Sequence, residues 1–82
     1  MTYYVYLIIS KIKKKTISYV GYTKDLKKRL ILHNSGKGAK FTRGRLWKLV
    51  YSKKYRSKTK AMSEEYKLKK NFKLRKTIKF NA

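Results

Sequence analysis

Residues 3–22 read Tyr3-Tyr4-Val5-Tyr6-Leu7-Ile8-Ile9-Ser10-Lys11-Ile12-Lys13-Lys14-Lys15-Thr16-Ile17-Ser18-Tyr19-Val20-Gly21-Tyr22. Two runs rich in β-branched and aromatic residues flank a lysine cluster. Such side chains fit a pleated, half-buried surface, so the stretch predicts a β-hairpin. Its strands fall at residues 3–9 and 16–22, and the cluster at 11–15 forms the exposed tip. That tip exceeds the two-residue optimum and leaves the turn type open. Successive strand side chains point to opposite faces. Tyr4 and Tyr6 therefore share one face of the first strand, and Tyr19 and Gly21 share one face of the second. Gly21 is read as a structural turn residue near the strand's end, where a missing Cβ permits an approach that bulk would block.

Beyond the hairpin the signals turn helical. Thr23 or Asp25 caps a helix over residues 26–33, with Asp25 well placed at the positive end of the dipole. Residues 34–38, with Asn34, Gly36 and Gly38, end it. The loop over 34–45 also holds Gly44 and four basic residues. A third strand spans 46–52 and extends at most to 55, with Trp47, Leu49 and Tyr51 on its core face and Leu46 and Val50 on the other. Ser57 or Thr59 caps a second helix over 60–70. Residues 72–80 form a short third helix or a frayed tail. The order β-β-α-β-α gives an α+β fold, a three-stranded antiparallel sheet flanked by helices.

The 82 residues hold 25 Lys plus Arg against 3 Asp plus Glu, a net charge of +22. So short a chain is expected to form one domain, residues 1–82, with 71–82 as a short helix or basic tail. Its core is small and its expected stability modest, about 5 kcal/mol. A hydrophobic content of 41% with 15% aromatics is unlike a disordered basic tail and excludes disorder for the middle of the chain. The chain has no cysteine, which excludes disulfide scaffolds, zinc fingers and thiol catalysis. The longest uncharged run, ending at Ser10, is too short to cross a bilayer, and no cleavage-site pattern follows it. An intracellular location is expected: cytoplasmic or nucleoid-associated, or nuclear in a eukaryotic or viral setting. A charge of +22 suits a polyanion. Nucleic acid ranks ahead of anionic membrane, because no long amphipathic segment stands out.

Helical geometry carries the sharpest inference. Each residue turns a helix by about 100°. Leu26 and Leu30 mark the apolar face of the first helix, and Arg29 and His33 fall within about 60° of it, one turn apart. In the second helix Ala61, Leu68 and Phe72 define the apolar face, with Met62 at its margin, Glu65 inside the arc and Glu64 well to the side. A carboxylate on an apolar face needs a cation, a metal or a hydrogen-bond network. Any one such residue at the edge of a narrow stripe usually reaches solvent. Here the group comprises the sole histidine, an arginine one turn before it and one of only three acids. These types suit phosphodiester chemistry. Arginine forks onto phosphate, histidine moves or donates a proton, and one carboxylate holds one largely hydrated Mg²⁺ or Mn²⁺. Two metals would need more carboxylates. A tyrosine, with an ordinary pKa near about 10, is a poor base unless cations lower that value.

The same residues carry a family pattern. The sequence resembles the GIY-YIG endonuclease superfamily, in particular its small stand-alone bacterial members. Tyr4-Val5-Tyr6 and Tyr19-Val20-Gly21 match the two name-giving tripeptides, with Tyr4 where glycine often sits. Thr23, Asp25, Leu26, Arg29 and His33 follow at family spacing, and His33-Asn34-Ser35-Gly36-Lys37-Gly38-Ala39-Lys40-Phe41-Thr42-Arg43-Gly44 is similar to the stand-alone group. The resemblance covers roughly residues 3–70. It implies a metal-dependent nuclease, in which Tyr6 acts as general base or prepares the attacking water and Tyr19 orients the site or hydrogen-bonds near the scissile phosphate. Arg29 would neutralise the phosphate, His33 would assist proton transfer, and Glu65 would hold one Mg²⁺ or Mn²⁺. The hairpin is longer and richer in lysine than is typical. A late polar residue often supports the family site, and Asn71 is the nearest candidate. No added DNA-binding domain is seen, so the domain is expected to grip DNA itself or borrow a partner.

Lys37, Lys40, Arg43, Arg45 and Lys48 line the loop and the following strand and are the expected nucleic-acid contacts. Flexible basic loops hold phosphates well and read bases poorly. Phe41 is expected to anchor this loop on the core, with base stacking as the alternative. DNA, single-stranded or branched, is the expected partner ahead of RNA, with no membrane role. The competing reading is a non-catalytic basic nucleic-acid-binding module, which gives Glu65 no task.

Overall fold

The computed structural model describes residues 2–81. Strand β1 (Tyr3–Ile12) lies at the centre of the sheet, with β2 (Lys15–Thr23) and β3 (Lys48–Tyr55) on either side, both antiparallel to it. Residues 5–10 are all buried, because helices cover both faces of this strand. Helix α1 (Leu26–Asn34) covers one face. Helices α2 (Lys58–Lys70) and α3 (Phe72–Phe80) cover the other. The α+β architecture thus follows the expected order, with the last segment a true third helix.

Alternation divides the core. Val5, Leu7 and Val20 pack on Ala61 and Leu68 of α2 and Ile78 of α3. Tyr6, Ile8 and Trp47 pack on Leu26 and Leu30 of α1. Each fully buried Val, Leu or Ile side chain contributes about 1.5–3 kcal/mol, and among the described residues Val5, Leu7, Ile8, Ile9, Val20 and Leu68 are buried in this way. Asp25, not Thr23, caps α1, accepting a hydrogen bond from the Lys28 N–H at 3.1 Å. Ser57, not Thr59, caps α2 in the same way, and α2 begins earlier than its periodicity predicts.

Several expectations change. The strands run into the lysine cluster and pair Ile12 with Lys15, so the reversal needs only Lys13 and Lys14. Lys13 takes a φ of 55°, a conformation costing a side-chain-bearing residue about 1–2 kcal/mol. Gly21 is not at a turn. It lies within β2, opposite Tyr6. Strand β3 starts at Lys48, and Leu46 stands 81% exposed. Trp47, Leu49 and Tyr51 do not share a face. A bulge against Leu7 and Ile8 breaks the alternation, so Leu49 joins the α1 layer while Val50 and Tyr51 both join the other. Phe72 leaves the apolar face of α2, because Asn71 ends that helix and caps α3. Met62 is exposed. Glu64, expected well to the side, is tucked in and pairs with Lys67 at 3.1 Å.

Candidate active site

Tyr6 sits on the central strand with its ring on the α1 face. Its partner across the ladder is Gly21, and any Cβ there would strike the phenol oxygen and ring. The glycine therefore gives Tyr6 the room to lie across β2. From the other side, the capped helix α1 brings Arg29 and His33 to the same phenol. The Arg29 Nε–H donates to Tyr6 Oη at 3.4 Å, and His33 Nε2 lies 2.7 Å from that oxygen. Tyr19, on the strand face shared with Gly21, sets its ring edge-on to His33 at 5.2 Å between centroids.

These groups border a cleft of about 420 Å³ at the outer edge of β2, where residues from both sheet faces meet. Tyr6, Tyr19, Gly21 and Arg29 line it from one side, and Glu65 of α2 lines it from the other. His33 does not line it. It is wholly buried behind Tyr6. Its depth keeps the imidazole out of direct contact with the cleft, because helical angle gives a residue's face, whereas depth depends on what packs over it. Here the loop after α1 closes over the imidazole. Its Thr42, also fully buried, brings Oγ1 to 2.9 Å from His33 Nδ1.

The electrostatics follow from burial. Desolvation pushes the Tyr6 phenol above its ordinary pKa, and the Arg29 hydrogen bond opposes only part of that. Burial, then repulsion from Arg29, push the His33 imidazole down. Arg29 is held up chiefly by its hydrogen bond to Tyr6. At neutral pH the centre thus holds a protonated phenol, a neutral imidazole and a guanidinium.

Glu65 turns its carboxylate to Lys69 at 3.4 Å and is mostly shielded. Among the described residues no three His, Cys, Asp or Glu side chains gather. The donor set thus fits an ion that keeps most of its water and leans on one carboxylate and a substrate phosphate, the usual habit of Mg²⁺.

The five expected nucleic-acid contacts lie elsewhere. Lys37, Lys40, Arg43 and Lys48 are exposed on the loop and the start of β3, and Arg45 faces the hairpin tip. None borders the cleft, whose other cations are Lys24 and Lys58. These two were missed, because in so basic a chain a single lysine carries no signal. Phe41 stacks on Tyr19 at 6.1 Å and meets Trp47 at 6.3 Å, yet remains 56% exposed, so it anchors the loop only in part. Asn71 caps α3 through the Leu74 N–H and does not border the cleft.

The family model described as the GIY-YIG catalytic domain matches residues 2–79. A UPF0213 protein of Oceanobacillus iheyensis is 44% identical over 68 residues, which cover 82% of this chain and 76% of the relative. One of Streptococcus pneumoniae serotype 4 is 58% identical over 52 residues, 62% of this chain and 52% of the relative, so the match spans about half of that protein's length. The solution NMR structure of a UPF0213 protein from Bacillus halodurans superposes with a TM-score of 0.52 at 40% identity, covering 98% of this chain and 85% of that one. Since the family match runs from before β1 into the last turn of α3, the chain belongs to the GIY-YIG catalytic domain family.

Proposed function

We propose that this protein hydrolyses DNA phosphodiester bonds with the help of one divalent cation, with weak sequence preference. The observation that carries this reading is the contact of Tyr6 Oη with the buried His33 Nε2 at 2.7 Å beside the Arg29 guanidinium, behind the wall of a cleft that Tyr6, Arg29 and Glu65 border. The raised Tyr6 pKa means that no phenolate waits for substrate. Tyr6 takes a proton from the attacking water only as it hands its own to His33 Nε2. The imidazolium that results is opposed by Arg29. A phosphate bound at Arg29 offsets that repulsion, so proton transfer is favoured when substrate is in place. Tyr19 orients the group from the side. Glu65 is the residue that would hold Mg²⁺ or Mn²⁺, which when bound polarises the phosphate and eases departure of the 3′ oxygen.

The net charge of +22 supports a nucleic acid as the substrate, and the exposed basic loop offers backbone contacts. Single-stranded or branched DNA would be selected through shape. No helix among the described residues is long and apolar enough to cross a membrane. The decisive experiment uses labelled single-stranded, duplex and branched DNA with Mg²⁺ or Mn²⁺, then with excess chelator. Cleavage is expected only with the cation, and Glu65→Ala is expected to abolish it while DNA binding largely persists. Cleavage undiminished in Glu65→Ala would remove the metal assignment. Binding without cleavage under either ion would leave the non-catalytic basic module.

A further inference from the structure

The loop that covers His33 makes more hydrogen bonds than a phosphate grip requires. Thr42 Oγ1 donates to the Ala39 carbonyl at 2.8 Å and accepts from the Ala39 N–H at 3.2 Å. The Thr42 carbonyl accepts from the Trp47 Nε1–H at 2.8 Å. Trp47 is itself held by Asn34, whose Oδ1 accepts from the Trp47 N–H at 2.6 Å and whose Nδ2 donates to the Trp47 carbonyl at 3.2 Å. Gly38 lies against the imidazole so closely that a Cβ would strike Nδ1.

A hydroxyl has one proton. That of Thr42 is committed to Ala39, so the 2.9 Å contact with His33 must be made by His33 Nδ1–H donating to Thr42. In a neutral imidazole the other nitrogen then bears a lone pair. His33 Nε2 accepts, Tyr6 donates to it, and the Arg29 Nε–H fills a lone pair of the phenol. Every proton in the chain is used once. Reversal fails on two counts. Turning the Thr42 proton to His33 would give up the 2.8 Å bond to the part-buried Ala39 carbonyl, leaving that oxygen only the longer 3.1 Å contact from the Thr42 N–H, and it would put a proton on Nε2. Tyr6 would then accept from both His33 and Arg29 and point its own hydrogen at the incoming water, the wrong direction for a base.

We propose that Thr42 is a positioning residue of the active site, whose hydroxyl fixes His33 as the Nδ1–H tautomer and keeps Nε2 open to the Tyr6 proton. This rests on the proton route from Tyr6 to His33 proposed above. After transfer both ring nitrogens carry hydrogen, and the Nδ1–H bond to Thr42 is already in place, so the imidazolium forms without rearrangement.

The sole histidine makes the test direct. In ¹⁵N-labelled protein at a pH where His33 is neutral, Nδ1 is expected to show the protonated-type signal and Nε2 the lone-pair type. The opposite assignment in the wild-type protein overturns the proposal without any variant. Thr42→Val keeps the shape and removes the acceptor. The two signals should then move toward each other or exchange, and kcat should fall about 10–100-fold with KM held within about twofold. Thr42→Ser should restore both. A Thr42→Val protein with wild-type signals and wild-type kcat would sink the idea. If Thr42→Val does not fold, the wild-type signals and those of Thr42→Ser still decide. Failure of the nuclease reading shows separately, as absence of cleavage by the wild-type protein, and leaves the tautomer signals interpretable.

Discussion

Tyr6 and His33 are both buried and each completes the other's hydrogen bonding, so removing one oxygen should affect both stability and chemistry. Tyr6→Phe leaves a buried imidazole nitrogen without its partner, at a cost of about 1–3 kcal/mol. It also removes the proton route, and cleavage should fall by about 10² or more. Urea unfolding and single-turnover cleavage measure the two effects; cleavage within a few-fold of wild type would take Tyr6 out of the mechanism. Gly21→Ala is expected to do comparable damage by a different cause, because its methyl meets the Tyr6 ring rather than empty space. At Gly36, where nothing lies within 4 Å of a built Cβ, alanine should cost stability through its positive φ of 77° and leave the Tyr6–His33 geometry alone. At this scale spacing was a good guide to Arg29 and His33, since one helical turn separates them whatever the tertiary packing. It could not show that His33 is covered. Nor could it single out Thr42, which sits within the quoted loop motif but acquires meaning only when the chain folds back on α1.

The loop between α1 and β3 behaves as a clamp. Asn34, at the last position of α1, grips both backbone groups of Trp47, and Trp47 in turn holds the Thr42 carbonyl. Asn34→Ala should therefore loosen residues 35–46 together. Amide exchange is expected to quicken across that segment while β1 and β2 keep their protection, and stability should drop by about 1–3 kcal/mol. Uniform exchange throughout the protein would mean that the clamp merely adds to global stability. Elements with two agreeing signals were legible in advance: the hairpin strands flank a lysine cluster with β-rich runs on either side, and α1 and α2 combine helical spacing with a capping residue. Strand β3 was legible as a strand but not in its facing, because a bulge is a property of two strands in register and leaves no mark on either alone. The hairpin turn was hidden for a related reason. Lysine is an unfavourable choice at a positive φ, and pairing along the rest of the hairpin overrides that preference.

For the whole molecule, charge and burial set conditions that no single contact does. With 25 basic and 3 acidic residues, acid unfolding cannot arise mainly from carboxylates, as it does in most proteins. The buried imidazole takes that part. Unfolded, His33 gains its proton near pH 6.5; folded, burial and Arg29 hold its pKa lower. Between those two values the unfolded chain binds more protons, so stability falls as pH drops below about 6.5 and levels off once the folded form is protonated too. Tyr6 and Tyr55 act in the opposite direction. Burial raises both, so the unfolded chain loses these protons first and stability falls as pH climbs past about 10. Melting temperature should therefore be flat between these limits and decline on either side. The acid step is the informative one, since it reports on the sole histidine. A melting temperature unchanged from pH 8 to pH 5 would mean that the imidazole is hydrated in solution, and the buried proton route from Tyr6 would go with it. DNA added during the same scan separates the two sources of stability. Its contribution should shrink steeply with salt, as released counterions require, while the His33 step, shielded from solvent, should keep its place.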